Sequence, residues 1–262
     1  MKMQTFDYQK WNSHFESNRL NRAEPDWSAP MDISPATLRP LLRSIEEFQL
    51  GDGGGPASLI AFDAERFRGS SENVRALVDA WFAEEREHSR LLGCAVARLG
   101  GHKISGHWSF TAFCWCRRIL GVKFELQILL LTELVSTAYY RVLRRHVPDA
   151  PLAAMCGLIL RDESGHVAFH RDRLAATPMG LDGLFGAMWE MQFWFCGHAA
   201  ATVLWMSHGE CLRAIGGSRA EYFSEVRYQL ARFVRSLAYE KEPYALPTAV
   251  AVNDKAILCA KV

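Results

Sequence analysis

The chain carries almost no net charge, no C-x-x-C motif, no alternating apolar pattern and no apolar run among its first residues. Each absence removes a class of function. Thirty Lys and Arg against 29 Asp and Glu leave a formal charge of +1, so there is no basic surplus to draw nucleic acid or an anionic membrane. None of the seven Cys stand in a C-x-x-C pattern, which excludes the usual thiolate zinc motifs. The lone C-W-C of Cys114 and Cys116 reads as packing, and a reducing cytoplasm is the expected compartment. The first residues, MKMQTFDYQKWNSHFES, contain no apolar run, so a secretory leader is not expected. A single long apolar stretch, residues 183–206, holds Glu190, Gln192 and His198 and lacks a basic flank on its N-terminal side. A membrane span is therefore not expected; a buried helix is, with an exposed interaction surface as the alternative.

What is present is a core and a helical period. With 262 residues and 49% hydrophobic composition, the chain is long enough to bury a sizeable interior. Strand-like alternation does not persist anywhere, and turn signals come at long intervals, so the expectation is all-α. Helices are expected over 36–67, from a Ser71 cap to Leu99, and over 117–146, 151–176, 182–214 and 219–239. The whole is read as one domain, 1–262. Residues 1–34 form an irregular arm docked by Trp11, Phe15 and Trp27, 36–176 a four-helix unit, 182–239 accessory helices and 240–262 an extended tail.

Two segments of the four-helix unit repeat one pattern. WFAEEREHSRLL (81–92) and LILRDESGHVAF (158–169) each contain an acidic residue followed by Glu-x-x-His. At 100° per residue, Glu163 shares its stripe with Cys156, Ile159, Leu160, His166, Val167, His170 and Leu174. Glu85 shares one with Val78, Trp81, Phe82, His88, Leu92 and Val96. The intervening helix offers Glu133 among Leu126, Leu129, Leu130 and Tyr140. Carboxylates and imidazoles in the middle of apolar stripes are costly unless something pairs with them. A pair of cations held between helices satisfies that need, with a carboxylate from each of two helices and Glu-x-x-His from each of the others.

The first helix then owes a carboxylate. Glu85 lies 16 residues after a turn centred near residue 69, and Asp52 lies 17 before it, whereas Glu47 lies 22 before it. Asp52 also shares a stripe with Leu41, Ile45, Phe48 and Leu59, while Glu47 lies with Arg43, Pro40 and Ser58. Depth and face favour Asp52, with Glu47 as the alternative. Mixed carboxylate and imidazole donors without thiolate suit iron or manganese.

On these residues the chain resembles the ferritin-like di-iron carboxylate superfamily. W-x-A-E-E-x-x-H-x-x-L-L at 81–92 and C-G-x-I-x-x-D-E-x-x-H at 156–166 are similar to helix segments of soluble acyl-carrier-protein desaturases. The chain also resembles bacterial ferritin-like domain proteins without assigned activity. The resemblance covers roughly 36–176. It implies a ferritin-like four-helix bundle with additional C-terminal helices. It implies two iron ions, or manganese or a mixed pair, on Glu85, His88, Glu133, Glu163, His166 and the helix-one acid. It further implies that Asp162 and Glu84 hydrogen-bond the ligand His of the opposite helix. The function implied is a non-haem di-iron oxidase or oxygenase that activates O2 to oxidise an apolar or amine-bearing small molecule. Trp189, Phe193, Trp194, Phe195 and Trp205 are candidates to wall its substrate channel. The expected partners are that substrate, O2 and an electron donor; a homodimer is compatible. A ferroxidase or a metal-poor structural module are the competing readings. The chain is shorter than those desaturases, its first carboxylate is Asp, and His170 follows the second motif and reads as a packed side chain.

Overall fold

The computed structural model describes residues 6–20, 22–53, 72–108, 110–111, 121–176 and 183–238. Among these residues the regular structure is helical, with no strand. The helices are α1 (Tyr8–Leu20), α2 (Pro35–Gly53), α3 (Glu72–Arg98), α4 (Gly121–His146), α5 (Ala150–Ala175), α6 (Gly183–Ala214) and α7 (Arg219–Ala238). Parts of the expected first and third helices, the Ser71 cap, Cys114, Cys116 and the tail 240–262 lie outside the described residues.

The apolar stripes read from the sequence are the faces that meet. α2 pairs with α3 and α4 with α5, and the two hairpins join through α3 and α5. Leu41 and Ile45 on α2, Leu91 and Leu92 on α3, Leu130 and Leu134 on α4, and Leu152 and Ile159 on α5 share one core. Each such side chain contributes about 1.5–3 kcal/mol by leaving water. α6 packs against α2 and α4, and α7 against α4, α5 and α6.

The expectation of an irregular N-terminal arm is corrected. Residues 8–20 are helical because Asp7 caps the first turn, accepting the Lys10 N–H at 2.9 Å. Trp11 and Phe15, one turn apart, then bury together against Trp81 and Phe169. Polar composition weighed against a helix, but two large apolar side chains at helical spacing decide it. α1 thus lies across α3 and α5, the two helices that carry Glu-x-x-His. Gly165 makes room for it, since a Cβ there would overlap His14 Nε2.

Arg98 locks three segments together. Its guanidinium bonds the Asp149 carboxylate at 2.7 Å and the backbone oxygens of Trp27 and Ala29 at 2.8 Å each. Asp149 in turn caps α5, accepting the Leu152 N–H at 3.1 Å.

α6 is buried on one side only, which corrects the buried-helix reading of 183–206. Phe193 stacks on Phe233, and Trp205 on Tyr222, both on α7. Phe195 projects outward. No described helix is long and apolar enough to cross a membrane.

Candidate metal centre

Glu85 and His88 project from α3, Glu133 from α4, and Glu163 and His166 from α5. All five converge. His166 Nδ1 stands 3.2 Å from Glu85 Oε1, 3.8 Å from Glu133 Oε1 and 3.7 Å from Glu163 Oε2. His88 Nδ1 lies 3.8 Å from Glu163 Oε1 and 3.9 Å from Glu85 Oε2. Donor atoms of Glu85, Glu133 and His166 lie within 4.8 Å of one another, as a shared cation requires. Both imidazoles are fully buried and Glu133 and Glu163 nearly so, while Glu85 is partly open.

These side chains leave their inward atoms unmatched. His88 Nδ1, His166 Nδ1, Glu133 Oε2 and Glu163 Oε2 are buried without a hydrogen-bond partner. A buried polar atom left unpaired costs about 1–3 kcal/mol, and His88 Nδ1, His166 Nδ1 and Glu163 Oε2 lie among carboxylate and imidazole atoms of this same cluster. That is the pattern expected of donors shaped around cations.

The outward imidazole nitrogens, by contrast, are engaged, and the engagement crosses between helices. His88 Nε2 of α3 meets Asp162 Oδ2 of α5 at 3.1 Å, and His166 Nε2 of α5 meets Glu84 Oε2 of α3 at 3.0 Å. A carboxylate at Nε2 fixes the tautomer that aims the Nδ1 lone pair inward. Asp162 is itself held by Arg22 at 2.6 Å, from the segment following α1. That arginine carried no motif, and only its proximity in the fold reveals it.

The charge states follow from the enclosure. Burial raises the Glu133 carboxyl to about 8, and it also raises Glu85 and Glu163, each further pushed by a neighbouring glutamate. Burial opposes protonation of His88, but the Asp162 hydrogen bond and the charges of Glu85 and Glu163 carry it up to about 9. Asp162 is the exception among the acids. Burial pushes it up, yet His88, Arg22 and Arg161 outweigh that and hold it at about 2. The metal-free cluster therefore retains protons that cations would displace.

The structure places the helix-one acids apart. Asp52, the penultimate residue of α2, is raised well above the usual carboxylate range by loss of water and by Glu85 and Glu163. Its charge neighbours are the cluster itself. Glu47 turns instead toward α6, with Arg43 Nε at 3.2 Å, His107 Nε2 at 3.5 Å and His208 Nε2 at 3.8 Å. Asp52 thus has the cluster for its charged neighbours, and Glu47 has Arg43, His107 and His208.

His170 was expected to be packed, and the structure adds more. Its Nε2 lies 3.4 Å from Glu133 Oε1 and is buried without a hydrogen-bond partner. Burial, with Arg173 and His166 nearby, lowers its pKa well below the ordinary value, leaving a neutral imidazole. The signal was in the sequence: His166 and His170 stand at i, i+4 on one face.

Aromatic side chains wall the centre on the α1 side. The Phe15 and Trp81 rings lie 5.8 and 5.7 Å from that of His166, and Trp81 meets His170 edge-on at 5.3 Å. A small pocket lies between α4, α5 and α7, lined by Leu134, Val167, Gln229 and Phe233. Of the α6 aromatics, Phe193 and Trp205 stack on α7, Trp194 stacks on His198 of its own helix and Phe195 projects outward.

No protein-family model, curated protein or solved structure significantly matches the chain.

Proposed function

We propose that this chain is a ferritin-like di-iron carboxylate protein that reacts with O2. The observation that carries the reading is the set of unpaired buried atoms on His88, His166, Glu133 and Glu163, set against imidazole Nε2 atoms that are both hydrogen-bonded. Iron or manganese fits this donor set, which offers hard carboxylate oxygens and imidazole nitrogens and no thiolate.

Glu85, His88, Glu133, Glu163 and His166 would hold the ions, with Asp52 as the α2 carboxylate and His170 as a further donor beside Glu133. Carboxylates there neutralise most of the charge of two divalent ions, which makes burial tolerable on both sides. When bound, the two ions supply the electrons with which O2 is reduced. Glu84 and Asp162 hold the two imidazoles in their metal-facing tautomer. Phe15, Trp81 and Phe169 keep water from the α1 side.

The substrate class favoured first is an apolar or amine-bearing small molecule. A second reading, a ferroxidase whose substrate is Fe(II) itself, draws on Glu85, which stands partly open to solvent beside otherwise buried donors. Anaerobic Fe(II) titration, followed by metal analysis and O2 uptake, tests both. About two irons per chain and oxygen consumption that stops after one turnover without reductant support the oxidase. Continued uptake with hundreds of irons retained supports storage. A chain that binds no iron or manganese ends the proposal.

A further inference from the structure

Seven of the twelve large apolar side chains that stand exposed among the described residues lie on α6. Leu184, Phe185, Met188, Met191, Phe195, Val203 and Met206 stand 47–78% exposed. Leu184, Met188, Met191, Phe195, Ala199, Thr202 and Met206 fall within about 40° of Phe195 at 100° per residue. They recur at steps of three and four, the spacing of a seam that fits a second helix. No charged residue interrupts that stripe.

We propose that this face is a two-fold interface between two copies of this chain, with α6 packed antiparallel against α6. Area is the first argument. At roughly 200 Å² per large side chain, the exposed part of these residues amounts to on the order of 1,000 Å² per copy, against about 800 Å² per partner in a standard stable interface. Monomers seldom expose so much contiguous apolar surface.

Shape is the second argument, and it sets the direction. Large side chains crowd the N-terminal half of the stripe, and the small Ala199 and Thr202 lie just beyond Phe195. With the axis near residue 197, Phe195 covers Ala199 of the partner subunit, Met188 meets Met206 of the partner subunit, and Met191 meets Val203 of the partner subunit. A parallel pair would set Phe195 on itself and leave a gap at Ala199. An isologous contact of this kind closes on itself. A lipid surface fits less well, since membrane-lying helices carry basic residues along the polar flank, and residues 183–212 contain no Lys or Arg.

The interface does not depend on metal, so its test stands apart from that of the site. Sedimentation equilibrium of the full chain at about 1–50 μM should give twice the chain mass. Phe195→Ala and Ala199→Phe should each weaken the dimer by about tenfold or more, with helicity unchanged because both positions are on the surface. Combining them should restore it, since the large and small partners merely exchange sides. A wild-type monomer throughout that range overturns the proposal, as does a double variant no tighter than the singles. Flotation of the wild type with phosphatidylcholine–phosphatidylglycerol vesicles, without self-association, assigns the face to a membrane surface instead.

Discussion

His88 on α3 donates across the bundle to Asp162 on α5 at 3.1 Å, and His166 on α5 returns the contact to Glu84 on α3 at 3.0 Å. Each Glu-x-x-His helix thus supplies the orienting carboxylate for the other. The residue immediately before each motif glutamate does the work, so one five-residue pattern both offers donors and aims its counterpart.

That reciprocity makes Asp162 and Glu84 positioning residues. Asp162→Asn or Glu84→Gln keeps the shape and removes the negative charge behind the imidazole. Metal affinity should fall about 10–100-fold, while circular dichroism stays at the wild-type level. Unaltered affinity in both variants would show that the imidazoles do not bind through Nδ1.

Stability of the metal-free protein should depend on pH in a stated direction. Folding raises Glu133 from an ordinary 4.5 to about 8 and His88 from 6.5 to about 9. Both groups bind protons more tightly when folded. Their stabilising contribution is therefore complete below the unfolded pKa values and is lost as pH rises through the folded ones. Asp162, held at about 2, acts oppositely but only in acid. The melting temperature of chelator-treated protein should drop between pH 6 and 9, and metal loading should remove most of that drop. A rise over the same interval contradicts the placement of these charges.

His170 lies against Glu133, away from Asp162. His170→Gln should therefore weaken one ion of the pair by about tenfold or more and spare the other. A two-step binding isotherm would register the change. An isotherm superimposable on the wild type assigns His170 to packing alone.

Arg98 tests the frame rather than the site. Its salt bridge with Asp149 is almost wholly buried, so Arg98→Ala leaves an unpaired carboxylate and three segments untied. A loss of about 3 kcal/mol is expected in urea unfolding, with metal content per folded chain unchanged. A loss below about 1 kcal/mol would mean water replaces the guanidinium freely.

The local pattern along the chain determined the helices and the acids and imidazoles that converge. Glu85, His88, Glu133, Glu163 and His166 were legible because a 3.6-residue period places each on an apolar stripe. Asp52 was legible because antiparallel helices bring residues equally far from a turn to one level. Asp162 and Glu84 entered through the resemblance, and their contacts agree with it. Arg22, the seat of α1 across α3 and α5 and the exposure of the outer face of α6 were decided by tertiary structure. Periodicity reports which residues share a face of one helix. Which other segment covers that face depends on contacts between positions far apart in the chain, and no local pattern encodes them.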